Sequence, residues 1–301
     1  MKKFLSVLMA GAMLFGVLTL AGCGDTTEPA AEEGTTTEDT TTTAEFTTVT
    51  EGVLTMSTNA AFPPYEMTDD SGNIVGIDAE IAAAIAEKLG LELQIDDMDF
   101  DGALAAPQSG KSDIVMAGVT VNEERQLVLD FSNTYANGVQ KVIVAEGSDI
   151  TMENLGEQQI GTQKGTTGNI LTTDEFGEDH VIAYDDAIAA VQALNNGQID
   201  CVVIDSAVAD NLVEANPGLT TLDTDYANEE YAIGVAKGNT ALLDAINTAL
   251  QELIDDGTVQ SIIDKYIPTD GTAADEAGTT DEAGATDEAG ATDGAEADTA
   301  A

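Results

Sequence analysis

The chain has 301 residues, with 56 Asp and Glu against 9 Lys and Arg, a formal net charge of −47, two cysteines, one His and no Trp. Binding a polyanion needs a basic footprint and this chain carries the opposite field, so nucleic acid is excluded as a partner. Apolar residues make up 43%, enough for a packed core, so the acid does not imply a disordered chain throughout.

In chain order, Met1-Lys2-Lys3 is a short basic start, and Phe4 to Gly22 is uncharged and apolar, the pattern of a secretory signal segment. It ends in Leu20-Ala21-Gly22-Cys23, which resembles the bacterial lipobox. The resemblance implies cleavage before Cys23 and a lipid on its thiol, anchoring the mature protein to the outer face of the cell membrane. Cys201 would then have no intrachain partner, and its place in the apolar run Cys201-Val202-Val203-Ile204 reads as a buried, inert thiol. Residues 23 to 51 are Thr-rich and acidic without hydrophobic period, a disordered tether. Residues 270 to 301 repeat an Asp-Glu-Ala-Gly hexapeptide, as in Asp281-Glu282-Ala283-Gly284-Ala285-Thr286, and read as a disordered acidic tail. The body between them, 52 to 269, keeps 38 acidic and 7 basic residues.

Short β-rich runs alternate with helical patterns through the body. A strand at Val53 to Ser57 precedes a helix from Asp78 to Leu89, where Ile81, Ile85 and Leu89 share one face, Asp78 is the expected N-cap and Gly90 follows the end. Strands follow at Leu91 to Ile95 and Asp113 to Ala117, then a helix from about Asn122, and strands near Lys141 to Ala145 and Gln159 to Thr162. A helix at Asp185 to Asn195, a strand at Asp200 to Ile204, a helix from Ser206 and a strand at Tyr231 to Ala236 come next. Helices at Thr240 to Ile254 and Thr258 to Tyr266 close the body. Strands separated regularly by helices predict an α/β fold with mostly parallel sheets and a ligand at the carboxyl ends of strands.

Two strings carry a family resemblance: Ala61-Phe62-Pro63-Pro64-Tyr65-Glu66 with Gly76-Ile77-Asp78-Ala79-Glu80-Ile81, and Met116-Ala117-Gly118-Val119-Thr120-Val121-Asn122-Glu123-Glu124-Arg125 with Asp130-Phe131-Ser132. With Gly165-Thr166-Thr167 and Ile204-Asp205, these resemble the family 3 solute-binding proteins of ABC amino-acid importers. The resemblance implies a type II two-lobed clamshell, each lobe a sheet flanked by helices. Lobe one would be 52–136 with 228–269, lobe two 137–227, and two hinge strands would cross near Gly138 and Tyr231. It implies a monomer that binds an amino acid without a cofactor and delivers it to the permease subunits.

A buried zwitterion needs one charged, oriented partner of each sign. Arg125, the only arginine in the chain and expected just inside a helix, is implied to grip the α-carboxylate in a fork that lysine cannot reproduce. The resemblance adds the Thr120 hydroxyl and amide, and the Thr167 backbone N–H from lobe two, to the same carboxylate. Asp205 ends an apolar strand and is implied to take the α-ammonium with the Gly118 carbonyl, a plain helix N-cap being the alternative. Phe62 and Phe100 match the aromatic positions that sandwich the ligand. Asn59 and Gln163 match side-chain pocket positions; both are neutral amides, which predicts a neutral polar amino acid. Against the family pattern, Pro107 follows Leu104-Ala105-Ala106 and is expected to kink or shorten the helix after Phe100.

Rival readings have weaker support. Asp97, Asp99, Asp101 and Gly102 fit the start of a calcium loop, but Gln108 stands where a bidentate Glu is needed. An enzyme of dehydratase or transglycosylase type on this scaffold lacks a constellation, since the sole His180 lies in a polar stretch without a second His or Cys nearby. A sensory lipoprotein is the third.

Overall fold

In a computed structural model, residues 46–267 except 224 are described. The signal segment, Cys23, the tether up to residue 45 and the acidic tail lie outside the described residues. The last part of the expected tether belongs to the fold: Phe46 packs against the core, and the Val49 amide donates to Asp113 Oδ1 at 2.7 Å.

The first half of the architecture contains β1 (Val53–Thr58), β2 (Ala61–Phe62), β3 (Glu66–Thr68), β4 (Ile74–Val75), α1 (Ile77–Leu89), β5 (Glu92–Asp97), α2 (Phe100–Ala105) and β6 (Ile114–Val115). Then come the long β7 (Leu129–Ala145), β8 (Ile160–Gln163), α3 (Thr167–Phe176), β9 (Val181–Tyr184), α4 (Ala187–Asn195), β10 (Cys201–Asp205), α5 (Ser206–Ala215) and β11 (Leu219–Thr221). The chain closes with β12 (Ala227–Ala236), α6 (Thr240–Asp255) and α7 (Thr258–Tyr266). Strands β2, β3, β4, β9 and β11 add to the elements expected from the sequence.

The main sheet has the order β5-β1-β6-β12-β7-β10-β8-β9, with β11 on β7. On one side β1 pairs in parallel with β5 and β6; on the other, β8 pairs in parallel with β10 and β9. Between these two parallel groups run β7 and β12, antiparallel to each other from Leu129↔Ala236 to Gln140↔Ala227. The early part of β7 therefore lies with the first group, and its later part, Gln140 to Val144, pairs with β10. These are the two crossing strands expected near Gly138 and Tyr231. Their register shifts twice between Tyr231 and Gly234.

Helix α1 starts at Ile77 and not with Asp78 as its cap. The Ile77 and Asp78 amides donate to the Pro64 and Tyr65 carbonyls at 3.1 and 2.9 Å. Backbone thus satisfies donors that a side-chain cap would otherwise serve, and the Asp78 carboxylate turns inward to accept from the Gly118 amide at 2.9 Å. The same close approach explains Gly76, at φ 130°, where a Cβ would collide with the Tyr65 carbonyl. Ile77, Ile81 and Ile85 are fully buried, and Gly90 ends the helix in the left-handed conformation at φ 70°. Helix α2 stops at Ala105, before Pro107, so the proline shortens it and Phe100 sits at its first position.

Cys201 is fully buried in β10, and burial pushes its thiol up to about 12. Iodoacetamide at pH 8 is expected to leave Cys201 unmodified in the folded protein and to label it in denaturant, read from the peptide mass; rapid labelling of native protein would contradict this.

Candidate functional site

All nine residues predicted to contact a ligand border one cavity between the two groups of strands. Direct bonds cross it. Gln163 Nε2 donates to Asn59 Oδ1 at 2.8 Å, the Thr167 hydroxyl to the Thr120 hydroxyl at 3.0 Å, and Arg125 Nη2 to the Gly165 carbonyl at 3.1 Å. At the rim Lys164 pairs with Asp101 at 2.6 Å.

Arg125 is 6% exposed, and its other fork nitrogen, Nη1, donates to the Thr120 carbonyl at 2.7 Å. Its guanidinium lies 5.3 Å from the centre of the Phe100 ring, within reach of a cation–π attraction. Burial lowers the guanidinium pKa, and among the described residues no carboxylate forms an ion pair with it. The expected helix around Arg125 is a single 3₁₀ turn, Arg125–Leu127. Asn122 Oδ1 accepts from the Arg125 amide at 2.8 Å and starts that turn, and β7 begins at Leu129, leaving no length for an α-helix.

The Thr120 hydroxyl departs from expectation. It donates to Glu229 Oε1 at 2.6 Å, so its one proton is already committed to an acid that sequence reading left out. Thr167 is the first residue of α3, after Thr166 as N-cap, so its amide belongs to the helix end that favours anions.

Asp205 is the helix N-cap that stood as its alternative role, and it also borders the cavity. Its Oδ1 caps α5 by accepting from the Ala207 and Val208 amides at 2.9 and 3.1 Å, while Oδ2 accepts from the Tyr231 hydroxyl at 3.0 Å. Burial pushes it up to about 6, with the Glu229 charge adding to the rise.

At the other end, Phe62 stacks on Tyr65 with ring centres 5.9 Å apart, and Gly118 at φ 53° leaves room for Phe62, since a Cβ there would lie 2.8 Å from Cε1 of that ring. Asn59 Nδ2 is spent on the Met98 carbonyl at 2.8 Å. Besides the two amides, the side-chain end of the cavity is bordered by an acid, Glu66. Glu66 is fully buried, and burial, the Asp78 charge and a carboxyl–carboxylate hydrogen bond with Asp78 raise it well above the usual carboxylate range; no other donor reaches its oxygens. Gln163 Oε1 and Gln140 Oε1 are likewise buried acceptors without a donor.

Sequence reading missed Glu66, Gln140, Glu229 and Tyr231. Glu66 carried a usable signal, an acid directly after the aromatic run Phe62-Pro63-Pro64-Tyr65. Glu229 and Glu230 are indistinguishable in sequence, and only the alternation of β12 turns Glu229 inward and Glu230 to solvent. The calcium-loop acids have other work: Asp97 accepts from the Ala60 amide, Asp99 caps α2 and Asp101 pairs with Lys164.

The family model "Bacterial extracellular solute-binding proteins, family 3" matches residues 54–269. The "Probable histidine-binding protein" of Neisseria gonorrhoeae is 30% identical over 91% of this chain and 98% of its own length. An L-cystine-binding protein of Escherichia coli K12 is 31% identical over 73% of this chain and 85% of its own. Among solved structures, an ancestral arginine-binding protein bound to glutamine superposes with a TM-score of 0.70 at 39% identity, covering 73% of this chain and all of that one.

The buried acids set a pH dependence of stability. Asp78 and Asp205 are pushed up to about 6 from an ordinary 3.8, and Glu66 rises further. The folded state then holds these protons more tightly than the unfolded chain, so stability is lowest above pH 6 and recovers as the pH falls towards 4. Asp69, Asp130 and Asp256, whose pKa values are lowered by hydrogen bonds, act in the opposite sense only below about pH 4. Without added amino acid, the thermal midpoint is expected to be higher at pH 5 than at pH 7.5; the reverse order would contradict this assignment.

Proposed function

The chain belongs to family 3 of the bacterial extracellular solute-binding proteins, and on that premise we propose that it captures a free L-amino acid between its lobes for an ABC importer. A lipid on Cys23 would hold it at the outer face of the membrane, acting as a monomer that presents the closed form to the permease. The curated relatives named above are binding proteins, which favours capture without turnover. In this reading lobe one is 52–136 with 228–269, lobe two is 137–227, and β7 and β12 are the hinge.

The observation that carries the reading is Arg125, a buried fork with carbonyls and an aromatic face around it and no paired carboxylate. An α-carboxylate is the complementary charge, and the Thr167 amide on α3 would receive it from the opposite lobe. Asp205, at the other side of the cavity, takes the α-ammonium with the Gly118 carbonyl, and Phe62 and Phe100 bracket the ligand.

Ligand class follows from the unpartnered groups. Glu66, Gln163 and Gln140 offer buried acceptors and no spare donor is found among those three sites except Glu66 in its protonated form. A side chain ending in N–H donors satisfies them. The neutral polar side chain suggested by Asn59 and Gln163 would be an amide, as in glutamine; a guanidinium carries more donors and a charge that Glu66 can balance, so the geometry favours arginine over glutamine. Binding that cation would ionise Glu66 inside the site.

A thermal-shift screen of the twenty amino acids, on the chain lacking residues 1–22 and carrying Cys23→Ser, tests the reading, since a ligand for the native state raises the midpoint by mass action. L-arginine is expected to give the largest rise and L-glutamine a smaller one; no rise with any amino acid would reject it. Arg125→Lys is expected to weaken L-arginine binding ~100-fold by calorimetry with the fold intact, because a point charge cannot replace the bidentate fork. Glu66→Gln is expected to cost about 10-fold for L-arginine and under about 3-fold for L-glutamine, since only the cation loses a charge partner. Equal losses for both ligands would remove Glu66 from the specificity pocket.

A further inference from the structure

The Tyr231 hydroxyl stands between two buried carboxylates, 3.0 Å from Asp205 Oδ2 and 3.1 Å from Glu229 Oε2. A phenol has one proton and can serve only one of them. Asp205 is fully buried and Glu229 is 4% exposed, so the two carboxylates face each other across this hydroxyl out of reach of bulk water. Glu229 lies on β12, opposite Gly138 of β7, and borders the ligand cavity with Asp205, Tyr231 and Gln140. Gly138 is what lets the three groups meet: a Cβ there would collide with Asp205 Oδ2 and lie 2.8 Å from the Tyr231 oxygen.

The groups facing this pair come from every element around it. From α5, the Ala207 and Val208 amides hold the far oxygen of Asp205. From β7, Gln140 Nε2 donates to Glu229 Oε2, and from the segment after β6 the Thr120 hydroxyl donates to Oε1. Tyr65 meets the Tyr231 ring edge-on at 5.2 Å, and Glu66 and Asp78 add negative charge near it. Arg125 is the one cation in this set. It feels the Glu229 charge without forming an ion pair with it, and the proposed function commits it to the α-carboxylate.

We propose that Glu229 is a second acceptor for the ligand's α-ammonium, joined to Asp205 across Tyr231. In the free protein a proton on Asp205 stands in for the ammonium. The assignment rests on the amino-acid reading above. It places the recognition of the amino group partly on a hinge strand, so the group that senses the ligand's charge also sits where the lobes pivot. Binding then exchanges one positive charge for another: the incoming –NH₃⁺ donates to both carboxylates, and the proton leaves to solvent. No bond to carbon changes.

Burial and the neighbouring charge of Glu229 push Asp205 up to about 6. In the complex the ammonium favours ionised Asp205, so affinity for L-glutamine, which does not ionise Glu66, is level above pH 7 and falls at lower pH, by about tenfold per unit once below the free protein's pKa.

The test is isothermal titration of the processed chain from pH 5 to 8 with L-arginine, and with L-glutamine as a second probe, on wild type, Glu229→Gln and the solvent-facing control Glu230→Gln. Wild type and Glu230→Gln should share one profile. Glu229→Gln should bind at least about tenfold more weakly at pH 7.5, with its bend moved to lower pH because Asp205 has lost a like-charged neighbour. At pH 5.5, titrations with L-glutamine, which leaves Glu66 protonated, in buffers of different ionisation heat should show about one proton released by wild type and fewer by the variant; L-arginine adds the Glu66 proton in both proteins. 5-Guanidinopentanoic acid, which is L-arginine without its amino group, should bind wild type far more weakly than L-arginine, and the variant should discriminate less. A variant with wild-type affinity overturns the proposal. So does a weaker variant that keeps the wild-type pH profile and proton release, since that is what a merely structural Glu229 would give. If neither probe binds wild type at any pH while other amino acids do, the side-chain assignment fails and the same profile is read with the amino acid that binds. If none binds, the amino-acid reading falls and Glu229 falls with it.

Discussion

Everything in the site turns on a buried guanidinium that forms no ion pair with a carboxylate among the described residues. Desolvating a charge is costly, and proteins ordinarily offset that cost with an ion pair. Arg125 has carbonyls and an aromatic face, enough to hold the fork in one orientation while leaving its charge uncompensated. One of those carbonyls, Thr120, lies on the same lobe, and the other, Gly165, comes from across the cavity. The only arginine in the chain is therefore both the positive pole of the site and one of the points at which the two lobes touch.

The negative pole is built differently. Asp205 and Glu229 reach the cavity from β10 and β12, and their approach depends on β7 passing between with a glycine at 138. Two like charges gathered around one phenol oppose each other, and burial raises the cost. A cation arriving there would relieve both penalties, which is the physical basis of the proposed ammonium site. Binding energy at such a place is also closing energy, because the lobes that pivot on β7 and β12 supply opposite halves of the site.

The acidic composition has little to do with this chemistry. Much of the body's charge is on the surface, where pairs such as Lys88 with Glu252 are partly exposed and contribute little to stability. The acids that matter are few and buried: Glu66, Asp78, Asp205 and Glu229. Residue counts do not separate these from the solvated majority.

How far the sequence could be read depends on how local the information was. Alternating strands and helices follow from periodicity within each segment, and β1, α1, β10, α5 and α6 stand where that periodicity puts them. Arg125, Thr120, Asp205, Phe62 and Phe100 were legible through motif strings, and they do meet at one cavity. Failures came where a distant backbone segment decided the outcome. Asp78 lost its capping role because the Pro64 and Tyr65 carbonyls already hold the start of α1. The helix at Asn122 gave way to a turn because β7 begins seven residues later, and Phe46 joined the core from a stretch whose composition reads as tether.

By itself the sequence determined the order of elements, the family and the two poles a zwitterion would need, since those depend on residue type and spacing along the chain. Tertiary structure decided which acids face the cavity, that the pocket beside Asn59 and Gln163 contains Glu66, and that Glu229 shares the Tyr231 hydroxyl with Asp205. Those facts depend on strand register between segments far apart in the chain: a shift by one residue in β12 would bury Glu230 in place of Glu229.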